Sequence, residues 1–148
     1  GSSAPPSRKS TSRMNTHELE LISLLLERPG GIDFVFQAVG PDDFDSRLLA
    51  RLYAAMATQY NQAGDIDIHR LISNLPGDDM NSVVAELASR EWPPDQVDAQ
   101  VKLVVQEFAR RKQAQVRKRL KEALRKAEAE GDQQKADALI AEMKQYGL

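Results

Sequence analysis

Apolar residues recur at intervals of three and four along nearly all of the chain, and nowhere do they alternate long enough to build a sheet. Leu19, Ile22, Leu25 and Leu26 predict a first helix. Thr16 is its expected N-cap, Glu18 and Glu20 favour its positive end, and Pro29-Gly30-Gly31 stops it. Ile32–Val39 predicts a short apolar helix ending at Gly40-Pro41. Ser46 opens a stronger one whose buried face is Leu48, Leu49, Leu52, Tyr53, Met56 and Tyr60, closed by Asn61–Gly64. Asp65-Ile66-Asp67-Ile68 alternates over four residues, but no partner strand exists. Asp67 is therefore expected to cap a helix carrying Ile68, Leu71, Ile72 and Leu75. After Pro76-Gly77, Asp78 or Asp79 is expected to cap a helix with Met80, Val83, Val84, Leu87 and Ala88, broken by Trp92-Pro93-Pro94.

No proline follows Pro94. Asp95–Glu130 is expected to form one long helix, or two in line, reaching ~50 Å if unbroken at 1.5 Å per residue. Its first stripe is Val97, Val101, Val104, Val105 and Phe108. The stripe lapses through Arg110-Arg111-Lys112 and resumes at Val116, Leu120, Ala123, Leu124 and Ala127. Gly131 is the expected C-cap. Asp132 begins a last helix with Ala136, Leu139, Ile140, Met143 and Tyr146, folded back as an antiparallel hairpin. The expected fold is all-α. A compact helical bundle over 16–108 is followed by the long-helix continuation and a C-terminal helical hairpin over 109–148. The hairpin is too small for a core of its own, so its stripe must meet the bundle or a partner.

The first fifteen residues are different. They are rich in Ser and Pro, basic and almost without large apolar side chains. They are expected to be a disordered linker, with Gly1-Ser2 a cloning remnant, so the chain reads as a piece of a longer protein that ends naturally after its last helix.

Composition narrows the chemistry. Of 148 residues none is Cys, which excludes disulfides, thiolate zinc sites, iron–sulfur clusters and a Cys nucleophile, and agrees with a cytosolic protein. No apolar run reaches the ~18–20 residues that a membrane span needs. The two histidines, His17 and His69, lack convergent ligands. His69 with Asp65 and Asp67 reads as a helix start rather than a metal site. Asp42, Asp43, Asp45, Asp78 and Asp79 each precede a helix, where carboxylates cap free N–H groups. There is no G-x-S-x-G, and Gly30-Gly31 has no phosphate-loop context. No catalytic residue, cofactor site or metal site is expected, and the chain does not read as an enzyme. Trp92, Phe34, Phe36 and Phe44 read as core.

Charge changes the picture more. The formal net charge is only −2, yet Met14–Asp95 carries five basic residues against fourteen acidic ones, and Arg110–Lys126 nine against Glu122 alone. Arg110, Arg111, Lys112, Arg117, Lys118 and Arg119, with Lys121, Arg125 and Lys126, could meet an acidic partner or nucleic-acid phosphates, or simply form a solvated helix. No aromatic is interleaved for base stacking. The last helix gives a sharper candidate. Leu139, Ile140, Met143, Lys144, Tyr146 and Leu148 line an amphipathic segment suited to a partner's groove.

Three stretches resemble the C-terminal helicase-binding domain of bacterial DNA primase (DnaG type). They are Leu19-Glu20-Leu21-Ile22-Ser23-Leu24-Leu25-Leu26-Glu27-Arg28-Pro29; Asp42-Asp43-Phe44 with the Leu48–Tyr60 helix, Gly64-Asp65-Ile66-Asp67 and Leu71-Ile72; and Leu120–Leu139 with Ala127-Glu128-Ala129-Glu130-Gly131-Asp132 at its turn. The resemblance implies a bundle and a hairpin as separate subdomains. The hairpin docks on the N-terminal domain of the hexameric DnaB-type replicative helicase, at the fork in the bacterial cytoplasm. It also implies that the bundle modulates the helicase, and in some members receives the acidic tail of single-stranded-DNA-binding protein, here carried only by Arg13 and His17. The N-terminal domain of the helicase itself has a similar bundle-plus-hairpin architecture and is the alternative reading. Direct nucleic-acid binding stays open, and no membrane partner is expected.

Overall fold

The computed structural model describes residues 14–75 and 77–148. The described residues are all helical, with no strand. The helices are α1 Thr16–Leu25, α2 Ile32–Ala38, α3 Arg47–Ala63, α4 Ile68–Asn74, α5 Asp78–Ser89, α6 Val97–Ala129 and α7 Gln133–Gln145, with a 3-10 turn at Pro41–Asp43. They form two compact units, one ending at Glu107 and the other Phe108–Leu148. α6 contributes to both.

The first unit is built around α1. Leu21, Ile22, Leu24 and Leu25 are completely buried, and α1 lies against α3 and α5. α4 packs on both of those helices. Leu49, Leu52, Tyr53 and Met56 supply the inner face of α3, and Met80, Val83, Val84 and Leu87 that of α5. Val97, Val101, Val104 and Val105 of α6 are buried as well. Burying a side chain of this size contributes roughly 1.5–3 kcal/mol, so this aliphatic set, aided by few aromatics, is the driving force for the unit. Trp92, at the corner before α6, is pinned by its indole N–H donating to Ser23 Oγ at 2.9 Å.

Several local expectations need correcting. Asn15, not Thr16, caps α1: its side chain accepts from the N–H groups of His17 and Glu18. Neither Asp78 nor Asp79 caps α5. Gly77 holds the N-cap position without a side-chain bond, and the two carboxylates sit in the first turn, where they act through the helix dipole. Phe34 is not core. It is 54% exposed, because Ile32 and Val35 take the buried face of α2. Ser46 and Asp67 do cap α3 and α4.

In the second unit, α6 ends in a Schellman turn. Gly131 adopts φ 73°, its N–H donates to Glu128 O, and the N–H of Asp132 donates to Ala127 O. Asp132 then caps α7 by accepting from Lys135 N–H. The buried positions are Phe108, Leu120, Ala127 and Ala136. Ala127 of α6 and Ala136 of α7 are both almost completely buried.

Candidate docking surface

α7 repeats the same ending. Gly147 adopts φ 72°, its N–H donates to Lys144 O, and the N–H of Leu148 donates to Met143 O. These are the two backbone bonds of a Schellman turn, which satisfy the last carbonyls of α7. Gln113 of α6 adds a bond from its side-chain amide to Tyr146 O at 3.3 Å. Tyr146 therefore stands at the end of a finished helix with its backbone fixed, yet it is 45% exposed; Ile140 is 41% exposed. Leu139, Met143 and Leu148 are half-buried, and Lys144 is exposed. The hairpin's own packing thus leaves apolar surface at the positions the sequence singled out. Such a surface, with an aromatic that has an apolar body and a polar tip, is suited to filling a partner's groove.

The basic residues fall into two groups. Arg117, Lys118, Arg119, Lys121, Arg125 and Lys126 are exposed along α6. Arg110, Arg111 and Lys112 each have interactions within the chain. The Arg111 guanidinium lies 5.4 Å from the centre of the Phe108 ring, a cation–π geometry.

The acidic-tail site is not assembled among the described residues. Arg13 lies outside them. His17 Nε2 stands 4.0 Å from Glu107 Oε1, so the group it faces is a carboxylate, which would repel an acidic peptide.

Hollows also open on the first unit. One of about 290 Å³ between α3 and α4 is lined by Thr58, Gln59, Gln62, Arg70 and Asn74 with apolar neighbours. Another of about 230 Å³ brings the exposed Phe34 together with Gly31, Asp98, Val101 and Lys102. Sequence reading missed this surface. The i, i+3, i+7 register of Ile32, Val35 and Val39 was the signal that turned Phe34 outward. Among the described residues no group of three His, Cys, Asp or Glu could hold a metal ion, and no helix is long and apolar enough to cross a membrane. Asp67 and His69 sit at the start of α4, where the Asp67 side chain accepts from His69 N–H.

Two polar clusters serve the fold. Glu18, fully buried, accepts from Asp45 N–H at 3.0 Å and from Ser46 N–H at 3.1 Å, so α1 satisfies the entry of α3. The Tyr53 hydroxyl donates to Val39 O at 2.7 Å and stands 3.2 Å from Val35 O, inside a ring cluster with Phe36 and Phe44. Burial first, and then the charge of Asp43, push its pKa up from the ordinary phenol value.

These features define a class: an all-helical module with a packed bundle and a separate helical hairpin that carries exposed apolar and basic surface. The family model of the DnaB-like helicase N terminal domain matches residues 12–106, and the chain belongs to that family. The match corresponds to the bundle and ends before the hairpin. It names the helicase domain, where the sequence resemblance had pointed first to the primase domain. No curated protein and no solved structure matches the chain.

Proposed function

We propose that the chain is a non-catalytic docking domain of the bacterial helicase–primase machinery, acting from the primase side. On this reading the hairpin binds the N-terminal domain of a DnaB-type hexameric helicase and so recruits primase to the fork. The observation that carries it is the hairpin. Its fixed C-terminal turn leaves Ile140 and Tyr146 exposed beside Met143 and Leu148, in a segment that the helicase-domain match does not cover. The resemblance at Ala127-Glu128-Ala129-Glu130-Gly131-Asp132 lies in that same segment. The expected setting is the bacterial cytoplasm, with no cofactor. Modulation of the helicase would fall to the bundle.

The family match favours a second reading, the N-terminal domain of a replicative helicase. Such a domain would pair with its own copies and receive a primase, rather than bind a helicase hexamer. Size-exclusion chromatography of the chain with a purified DnaB-type hexamer separates the two. Co-elution with the hexamer, abolished by deleting Ala136–Leu148, supports the primase reading. Self-association of the chain without co-elution supports the helicase reading and overturns the first.

A further inference from the structure

The exposed cations of α6 beyond Lys112 form an ordered row. Arg117, Lys121 and Arg125 follow one another at intervals of four, and Lys118 lies between them at three from Lys121, so all four share one face of the helix. From Arg117 to Arg125 the row spans about 12 Å at 1.5 Å per residue. All four are exposed, and none is ion-paired among the described residues. Like charges at intervals of four cost a helix a few tenths of a kcal/mol per pair, and Glu122 is the sole acidic residue of the stretch. Leu120 and Ala127, which are buried in the hairpin, belong to a different face.

The chemistry of the row selects its partner. A protein interface draws its affinity from a desolvated apolar or aromatic centre, and between Arg117 and Lys126 no aromatic or exposed apolar side chain accompanies the cations. Single-stranded nucleic acid is held largely by stacking on aromatic rings, and the stretch Arg117–Lys126 offers none. Duplex DNA presents one charge per about 1.7 Å of axis and is bound through phosphates alone by counterion release, with no need for either feature. We propose that Arg117, Lys118, Lys121 and Arg125 form a sequence-independent contact surface for the phosphate backbone of double-stranded DNA. This function is separate from helicase docking.

The test is fluorescence anisotropy of the full chain with a fluorescein-labelled duplex of about 20 base pairs, titrated from about 50 to 200 mM salt. The expected result is binding at low salt that weakens steeply as salt rises. The triple variant Arg117→Gln, Lys121→Gln, Arg125→Gln, with helicity checked by circular dichroism, should bind at least about tenfold more weakly. The slope of log K against log salt should fall by roughly 2–3. Lys102→Gln with Lys135→Gln, elsewhere on the chain, should change neither. The proposal is overturned by absence of duplex binding at low salt, or by a triple variant that binds as the parent does. It is also overturned if the same-length single strand binds more tightly than the duplex. Tighter binding of polyglutamate than of the duplex at equal charge concentration overturns it in favour of an acidic protein.

Discussion

Glu18 is a buried carboxylate that joins two helices through main-chain bonds, accepting from the N–H groups of Asp45 and Ser46 at the entry to α3. Removing it leaves buried donors without an acceptor, so Glu18→Ala should destabilise the bundle by about 2–3 kcal/mol, and Glu18→Gln, which keeps an acceptor, by less. Trp92, the one tryptophan, donates to Ser23 in α1. Its fluorescence during urea denaturation therefore reports this unit directly. Tyr53→Phe removes the hydroxyl that satisfies Val39 O and should cost about 1–2 kcal/mol in the same assay. The pH dependence has a definite sign. The folded pKa of Tyr53 is raised, so its contribution is complete below the ordinary phenol value of 10.0 and is lost as pH rises beyond it. Denaturation midpoints of the parent should fall above about pH 10, and Tyr53→Phe should flatten that part of the fall.

At the scale of elements, the helices were legible where a capping side chain and a 3.6-residue stripe agree, as at Ser46 with α3 and Asp67 with α4. Reading failed where two neighbours could serve the same role. Asn15 and Thr16 are both capping residues, and only the backbone decides that Asn15 is extended and accepts the bonds. It failed again where composition outweighed register, since Phe34 is apolar yet lies off the face set by Ile32 and Val35. Glu18 was legible as a first-turn anion, but its long-range role was not, because its partners are main-chain donors 27 and 28 residues away. The hairpin turn was readable from Gly131-Asp132, since φ 73° is costly for any other residue type. Gly131→Ala should therefore destabilise the hairpin by about 1 kcal/mol. Hydrogen exchange in α7 should accelerate, while the Trp92 denaturation midpoint stays unchanged.

For the whole molecule, the charge asymmetry corresponds to a real division. The acidic stretch belongs to the unit ending at Glu107, and the basic run to Phe108–Leu148. The residues proposed for docking, Leu139, Ile140, Met143, Tyr146 and Leu148, stand out in the sequence as an apolar stripe. What the sequence did not show is that a second Schellman turn fixes Met143, Tyr146 and Leu148 at the end of α7. The family match rests on the bundle, whereas the proposed docking function rests on the hairpin. Tyr146→Ala or Met143→Ala should each weaken helicase binding by about 1–2 kcal/mol, the range for a contact residue at a partner interface. Neither should shift the Trp92 denaturation midpoint. The most direct measurement is isothermal titration of the full chain into a DnaB-type helicase hexamer, alongside the chain lacking Ala136–Leu148. The full chain should bind saturably and the truncated one not at all. Equal binding by both, or no heat from the full chain, would contradict docking through the hairpin.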